Sequence, residues 1–271
     1  MRLRIKAKAN ENYTLPFNYQ NQVKYAVKNL IAMINWKVEE VFPNKQDREN
    51  WQKVVRKLNE MKLYSFSKLN VSPFIMSQNG FQDVERITFI FTTPLKDEYK
   101  DMVAEIFKDR VLRLDFDQNL FFTIEDVEFL EEPNFGETAS FVCLSPITLS
   151  KKWKKDNGKE FIHYLEYTND DERYKFVQAM RENLVEKWET LNQTEYKNDT
   201  AFSFEFSKDY IERKDRISKL IHLENGSKVK AFEAPFEIQA DPELIHTGYR
   251  CGFGEKNNLG FGCVKTGNGE S

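Results

Sequence analysis

The order of strands and helices that the sequence predicts indicates an α+β protein with two similar halves. Alternating apolar residues predict strands, and apolar residues at a spacing of three or four predict helices. Both halves show the order strand, helix, strand, strand, helix, strand, which is that of the ferredoxin-like (RRM-like) fold. A loop-forming run at residues 132–136 separates them. We therefore predict two tandem ferredoxin-like domains, residues 1–132 and 137–271.

The first half begins with a strand in which Leu3, Ile5 and Ala7 alternate with basic residues, so one face is apolar and the other is cationic. An amphipathic helix over residues 19–36 follows, because apolar residues recur there at helical spacing. The other predicted elements are a helical piece marked by Trp51, Val54, Val55 and Leu58, strands at 63–67 and 86–92, a helix at 95–109, and strand segments at 121–124 and 127–130.

The second half begins with a strand over residues 139–147 and continues into a lysine-rich hairpin with Asn157-Gly158 at its turn. Further predicted elements are a helix at 171–191, strands at 201–206 and 229–238, and a short helix at 241–247. The segment 201–206 alternates apolar and polar residues. The short helix leads directly into the most distinctive segment of the chain.

Composition limits the classes of protein that this chain can be. Charged residues make up 31% and the net charge is −3, which is typical of a folded globular protein and argues against indiscriminate nucleic-acid binding. Three cysteines without a CxxC spacing predict no zinc site or disulfide framework. No apolar run reaches the length of a membrane span. We expect a cytoplasmic protein with no membrane insertion, no cofactor and no metal.

Residues 252–262, which we call the glycine-rich loop, read Gly-Phe-Gly-Glu-Lys-Asn-Asn-Leu-Gly-Phe-Gly. Glycine lets the backbone turn sharply and be approached closely, so this loop is a candidate anion cradle with Lys256 and Asn257 at its centre. It matches neither a Walker loop nor a dinucleotide fingerprint. The alternative is a plain turn.

The pattern Gly-x-Gly-x5-Gly-x-Gly with a central lysine resembles the glycine-rich loop of the CRISPR-associated repeat-cleaving endoribonucleases, members of the repeat-associated mysterious protein superfamily. Residues 16–20 and 141–147 are also similar to segments of that family, in the same order. The resemblance implies that CRISPR repeat RNA is the partner. It also implies metal-independent cleavage, in which the 2′-hydroxyl attacks the adjacent phosphate and leaves 2′,3′-cyclic phosphate and 5′-hydroxyl ends.

Many members of the family use a tyrosine, a histidine and a lysine, and the matching positions in this chain are Lys28, Arg56 and Lys62. These are the predicted catalytic residues, with Lys57 as a substitute for Arg56. The first histidine of the chain is His163, so the first half has no imidazole for acid–base catalysis. Two alternatives follow: a cationic site that cleaves slowly, or a protein that binds repeat RNA and cleaves poorly. We interpret His163, His222 and His246 as surface or core residues, and His246, two residues before Gly248, is the exception to be tested for a role in catalysis.

The predicted RNA-binding residues are cations, glycines, one amide and one aromatic side chain. Cations pair with phosphates, and aromatic rings stack on the bases of single-stranded RNA. The candidates are Lys24, Lys151, Lys152, Trp153, Lys154, Lys155, Arg250, Gly252, Gly254, Lys256, Asn257, Gly260 and Gly262.

The resemblance predicts an endoribonuclease that processes precursor CRISPR transcripts and acts as a monomer or homodimer. One alternative is a non-cleaving RNA-binding subunit of a CRISPR interference complex. Another is a structural backbone subunit of such a complex, for which the same fold is used.

Overall fold

The fold is known from a computed structural model, which describes all residues except 37–43, 47, 50, 51, 54, 55, 57–59, 61, 109, 116–119, 155–157, 159, 215, 224, 225 and 268–271. The chain divides into two compact units, unit 1 (Met1–Glu132) and unit 2 (Pro133–Ser271). Among the described residues, no helix combines the length and apolar character needed to cross a membrane.

Several predictions fall on residues outside the described part of the chain. They concern the second helical piece of the first half, the turn of the lysine-rich hairpin and two of the site candidates. The residues are Trp51, Val54, Val55, Leu58, Asn157, Lys57 and Lys155.

In the described part of unit 1, an antiparallel sheet and the helices packed on it share one core. A short 3₁₀ turn at Asp97–Tyr99 precedes the second helix. The elements in chain order are β1 (Arg2–Leu15), α1 (Gln20–Trp36), β2 (Ser65–Phe66), β3 (Asn70–Ser72), β4 (Ile75–Met76), β5 (Phe81–Thr92), α2 (Lys100–Phe107), β6 (Val111–Asp115) and β7 (Leu120–Phe129).

The sheet of unit 1 has the order β2-β5-β1-β7-β6, and β3 and β4 also pair with β5. With β1 between β5 and β7, this is the ferredoxin-like order extended by β6, so the predicted fold of this half is confirmed. The two segments predicted at 121–124 and 127–130 form the single strand β7. Leu3, Ile5 and Ala7 of β1 are buried, as are Val23 and Val27 of α1. These side chains belong to one apolar core.

Two cations of β1 pair with carboxylates of the neighbouring strand β7. Arg4 Nη1 lies 2.8 Å from Glu128 Oε2, and Lys6 Nζ lies 2.9 Å from Asp126 Oδ2. Exposed ion pairs of this kind contribute little to stability. They do cancel positive charge locally, so these basic residues of β1 do not form a cationic patch.

Unit 2 repeats the fold with two inserted hairpins. Its main sheet has the order β11-β14-β8-β15, which is again ferredoxin-like, and the hairpins β9–β10 and β12–β13 form separate two-stranded sheets. The elements are β8 (Thr138–Cys143), β9 (Ser150–Lys154), β10 (Glu160–Tyr164), α3 (Asp170–Asn192), β11 (Ser203–Phe206), α4 (Lys208–Arg213), β12 (Ser218–His222), β13 (Lys228–Phe232), β14 (Phe236–Gln239), α5 (Pro242–Cys251) and β15 (Val264–Thr266).

The single strand predicted at residues 229–238 is wrong. The structure has two strands there, β13 and β14, which belong to different sheets. Pro235 lies between them and has no amide hydrogen to continue a ladder. Apolar alternation continues through the break, so the pattern alone did not reveal the second hairpin.

Helix α5, which leads into the glycine-rich loop, begins at a well-bonded carboxylate. Asp241 Oδ1 accepts a 2.8 Å hydrogen bond from the Glu243 amide, and Oδ2 accepts bonds from the Tyr196 hydroxyl at 3.1 Å and the Asn198 side chain at 2.7 Å. Burial raises the pKa of Asp241, but the hydrogen bonds from Asn198, the Glu243 amide and Tyr196 outweigh it and hold that pKa below its usual value.

We expect Asp241→Ala to lower the free energy of unfolding by about 1 kcal/mol near neutral pH, because an N-terminal cap is lost. A carboxylate with a depressed folded pKa stabilises the fold above its unfolded pKa of about 4 and loses that effect as the pH falls through the folded pKa. The difference in free energy of unfolding between wild type and variant should therefore become smaller as the pH falls. Urea unfolding from pH 7 to pH 2 measures it, with the exposed Asp209→Ala as the control. A difference that does not change with pH would contradict this account.

Candidate functional site

The predicted catalytic residues of unit 1 are exposed cations. Lys28 is on α1, one turn after Lys24, whose Nζ lies 5.0 Å from the centroid of the Tyr25 ring. Arg56 is helical, and its Nε lies 3.8 Å from Glu60 Oε1. Lys62 occupies the turn before β2 with a φ of 55°. Exposure makes these cations available to a polyanion, and their grouping into one catalytic site stays a prediction.

The amides of the glycine-rich loop are largely used within the protein. Gly252 N donates to Gly248 O at 2.8 Å, Gly260 N to Asn257 O at 2.9 Å, and Gly262 N to Pro146 O at 2.8 Å. These three glycines are also buried. The structure therefore contradicts the predicted anion cradle at Gly252, Gly260 and Gly262, because their N–H groups already have acceptors in the fold.

Close packing explains why glycine stands in this loop. At Gly262, with φ of 74°, an added Cβ would lie 2.0 Å from the Phe253 carbonyl oxygen. At Gly254, with φ of 75°, it would lie 2.6 Å from the Thr148 carbonyl oxygen. Both the positive φ and the contact exclude a larger residue. The side chain of Phe253 is completely buried, so the loop is a packed part of unit 2.

The side chains at the centre of the loop have different roles. Asn257 is buried, and its Nδ2 donates to Phe253 O at 3.4 Å and to Phe261 O at 3.0 Å. The RNA contact predicted for the Asn257 side chain is thus not supported, because its amide group holds the loop together. Lys256 is partly exposed, and its Nζ lies 5.8 Å from the centroid of the Tyr164 ring. Its cation can be reached by RNA, as can that of the exposed Arg250 at the end of α5.

A buried lysine that we did not predict holds the loop from beneath. Lys187 of α3 donates from Nζ to the carbonyl oxygens of Gly252 and Gly254, both at 2.6 Å. Burial lowers the pKa of Lys187 to about 8, although Cys251, Glu255 and Glu186 oppose this shift. The sequence contained a signal, because Lys187 lies three residues after Leu184 and seven after Met180 on the buried face of the helix.

Glu255 joins the glycine-rich loop to the first inserted hairpin. Its carboxylate accepts hydrogen bonds from the Ser150 amide at 2.9 Å and the Ser150 hydroxyl at 2.7 Å. Its own amide donates to Thr148 O at 2.8 Å. Ser150 is the first residue of β9, so these bonds fix the base of the hairpin against the loop.

The alternation of side chains divides the hairpin β9–β10 into two faces. Paired residues of an antiparallel ladder point to the same side, and successive pairs point to opposite sides. The loop face, which includes Tyr164 beneath Lys256, consists of the pairs Ser150–Tyr164, Lys152–Ile162 and Lys154–Glu160. The helix face consists of the pairs Lys151–His163 and Trp153–Phe161.

The helix face of the hairpin is attached to α3. His163 Nε2 lies 2.8 Å from Glu172 Oε1, and Lys151 Nζ lies 3.9 Å from Glu182 Oε2. The Trp153 ring packs on the His163 ring with centroids 4.6 Å apart, and Lys175 Nζ lies 5.8 Å from the Trp153 centroid. The sequence grouped Lys151 and Trp153 with the other hairpin cations as one RNA-binding cluster. Instead, these two side chains contact the helix on the opposite side from Lys152.

The loop face combines cations from two segments that are distant in sequence. Lys152 and Lys154 are exposed, with Lys154 Nζ 3.7 Å from Glu160 Oε1, and Lys256 approaches Tyr164 on the same face. The exposed Ile162 provides an apolar surface on this face. Such a surface can bind phosphates through its cations and pack against bases through its apolar groups. Within the described residues, no group of three His, Cys, Asp or Glu side chains is placed to hold a metal ion.

Comparison with known proteins relates this chain to one family. It is 25% identical, over 97% of its length and 92% of the relative, to the CRISPR-associated endoribonuclease Cas6 1 of Methanocaldococcus jannaschii. A solved structure described as CRISPR associated protein Cas6 has a TM-score of 0.74 at 24% identity, with 98% of each chain covered. Another, described as an RAMP protein binding different RNA substrates, has a TM-score of 0.71 at 22% identity, with 98% of this chain and 99% of that chain covered.

The sequence profile of the family named CRISPR associated protein Cas6, C-terminal, matches residues 130–266. This match covers the main sheet of unit 2, both inserted hairpins and the whole glycine-rich loop. The resemblance inferred from the glycine pattern is therefore confirmed, and the chain belongs to the Cas6 family of CRISPR-associated proteins.

Proposed function

We propose that this protein binds CRISPR repeat RNA and cleaves it by a metal-independent reaction within precursor transcripts. The observation that supports RNA binding most directly is the loop face, where Lys152 and Lys256 lie on one side of unit 2, next to Lys154, which pairs with Glu160. The M. jannaschii relative, which is aligned over 97% of this chain, is named an endoribonuclease. Together these observations favour an RNA-processing enzyme.

In the proposed reaction, the 2′-oxygen forms a bond to the adjacent phosphorus while the bond from phosphorus to the 5′-oxygen breaks. The 2′-hydroxyl proton passes to a base, and a proton from an acid reaches the leaving 5′-oxygen. The products are a 2′,3′-cyclic phosphate and a 5′-hydroxyl. Negative charge develops on the phosphoryl oxygens in the transition state, so nearby cations stabilise it more than they stabilise the substrate.

Lys28, Arg56 and Lys62 are the residues that we propose for this chemistry. An arginine stays protonated and stabilises charge, whereas a lysine ammonium can also donate a proton to the leaving oxygen. The set contains no imidazole, which is the side chain best suited to take up a proton near neutral pH. The proposed site is therefore strong in electrostatic stabilisation and weak in base catalysis, and cleavage should be slow.

The absence of histidine before His163 also supports a second candidate function. A member of this family without a first-domain imidazole can serve as an RNA-binding subunit of an interference complex that holds repeat RNA without cutting it. Binding without cleavage at every protein concentration would favour this second function over the first.

Cleavage should require the 2′-hydroxyl next to the scissile phosphate. We expect repeat RNA with a single deoxynucleotide 5′ of that phosphate to remain intact under single-turnover conditions with a chelator present, because the nucleophile has been removed. The unmodified RNA should be cleaved under the same conditions. Gel analysis of end-labelled RNA measures both, and cutting of the deoxy substrate at the same bond would refute the mechanism.

Replacing each proposed catalytic cation should slow cleavage more than it weakens binding. We expect Lys28→Gln, Arg56→Gln and Lys62→Gln each to reduce the single-turnover rate at saturating protein by about tenfold or more, since each contributes to transition-state stabilisation. Lys96→Gln, which removes an exposed cation elsewhere in unit 1, is the control and should leave the rate within about twofold. Rates equal to the control for all three variants would show that the chemistry resides elsewhere.

The two faces of the hairpin allow a matched test of RNA binding. We expect Lys152→Gln to weaken repeat-RNA binding several-fold. The plot of the log of the binding constant against the log of the salt concentration should also become less steep by about 0.7, as for one lost phosphate contact to a single strand. Lys151→Gln removes the same charge from the neighbouring residue on the helix face and should change both quantities much less. Filter binding at several salt concentrations measures them. Equal effects of the two variants would contradict the assignment of faces.

A further inference from the structure

We propose that Lys187 is a positioning residue for RNA binding: together with Glu255, it holds the glycine-rich loop in the conformation that places Lys256 on the loop face. This inference rests on the proposed function and concerns how the RNA-binding surface is built. Lys187 itself is buried beneath the loop and has only 7% of its surface exposed. Its effect on RNA must therefore pass through the loop.

The loop needs such support because Lys256 has an unfavourable backbone conformation. Its φ of 58° and ψ of 29° lie in the left-handed region, which residues other than glycine seldom occupy. Conformations of this kind persist where the surrounding contacts fix them. On the N-terminal side of Lys256, these contacts include the bonds from Lys187 to the carbonyls of Gly252 and Gly254 and from Ser150 to the Glu255 carboxylate. On the C-terminal side, Asn257 Nδ2 donates to the Phe253 and Phe261 carbonyls.

Two carbonyl groups of the loop accept hydrogen bonds from the same side chain, Lys187. Lys187 Nζ reaches both Gly252 O and Gly254 O, so the ammonium group fixes the course of the backbone across Phe253. A buried ammonium group without acceptors would be very costly, which makes its position strongly dependent on these carbonyls. The charged or titratable groups that influence it are Cys251 of α5, Glu255 of the loop and Glu186 of α3.

Glu255 connects the glycine-rich loop to the hairpin β9–β10. Its bonds to Ser150 fix the start of β9, and Tyr164, the cross-strand partner of Ser150, lies beneath the Lys256 ammonium group. The loop and the hairpin thus form one preorganised surface. Preorganisation favours binding because less conformational freedom is lost when RNA is bound.

A double-mutant cycle tests the inference, with the repeat RNA of the CRISPR array as ligand. Lys256→Gln alone should weaken binding about fivefold and lower the salt slope by about 0.7, through loss of one phosphate contact. Lys187→Met should weaken binding about threefold and lower the slope similarly, although residue 187 cannot reach RNA. When Lys187→Met is already present, Lys256→Gln should weaken RNA binding by less than about a further twofold, because Lys256 is no longer held in place.

The matched control is Lys208→Met, which removes an exposed cation paired with Glu205 elsewhere in unit 2. The RNA affinity of this variant should stay within about twofold of that of wild type. In the double variant with Lys256→Gln, the two fold-changes in affinity should simply multiply. Circular dichroism and thermal unfolding establish that each variant is folded. If Lys187→Met does not fold, Glu255→Gln is used instead, because it keeps the side-chain size and weakens the bonds to Ser150, and the same non-additivity with Lys256→Gln is expected.

Each outcome has one interpretation. If the effects of the folded Lys187 or Glu255 variant and of Lys256→Gln simply multiply, or if the positioning variant binds like the control, the inference is overturned. If wild type binds RNA but Lys256→Gln has no effect, the inference is also overturned, while the proposed function remains. If wild type does not bind repeat RNA, the proposed function itself fails.

Discussion

The close approach of Gly262 to the Phe253 carbonyl is the constraint on which the end of unit 2 depends. An added Cβ at residue 262 would lie 2.0 Å from that oxygen, so the two ends of the loop can meet only if no side chain stands there. Phe253 N in turn donates to Gly262 O at 2.9 Å. The closed loop is followed by Val264, the first residue of β15, which pairs with Cys143 of β8. The loop therefore sets the position of the last strand of the main sheet.

The same closure explains why the amides of Gly252, Gly260 and Gly262 bond within the protein. Backbone groups that pack so tightly are buried and must be hydrogen-bonded within the fold. Gly252, Gly260 and Gly262 satisfy this requirement with internal acceptors. The RNA contact that we propose for the loop is therefore the cation of Lys256, which lies above the Tyr164 ring. A loop of this composition thus works as a rigid support for charge.

The fold could be predicted from sequence because burial imposes a period on each element. Leu3, Ile5 and Ala7 alternate because one face of β1 is in the core, and the apolar residues of α3 recur at helical spacing for the same reason. The order of these elements was enough to identify two ferredoxin-like domains. The break at Pro235 was missed because apolar alternation runs through it on both sides.

The candidate site was less predictable because it depends on which side chains share a face in three dimensions. The cations at residues 151–154 look uniform in sequence, but pairing with β10 sends Lys151 towards Glu182 and leaves Lys152 on the side of Lys256. The spacing of Lys187 from Met180 and Leu184 places it on the buried face of α3, but only the carbonyls above it show what its ammonium group binds. Glycine spacing identified the loop, whereas its hydrogen bonds identified the role of each residue.

Because the first half of the chain has no histidine, the rate of the proposed reaction depends more strongly on how the RNA is bound. A positioned general base or acid contributes about 10²- to 10⁴-fold to an enzymatic rate, and lysine and arginine recover only part of that factor near neutral pH. What remains is stabilisation of the transition state by cations and the correct alignment of the 2′-oxygen, the phosphorus and the leaving oxygen. Alignment depends on how firmly the RNA is held. For the cleavage that we propose in this chain, which has no histidine before residue 163, binding geometry therefore has to supply more of the rate than it does where an imidazole is present.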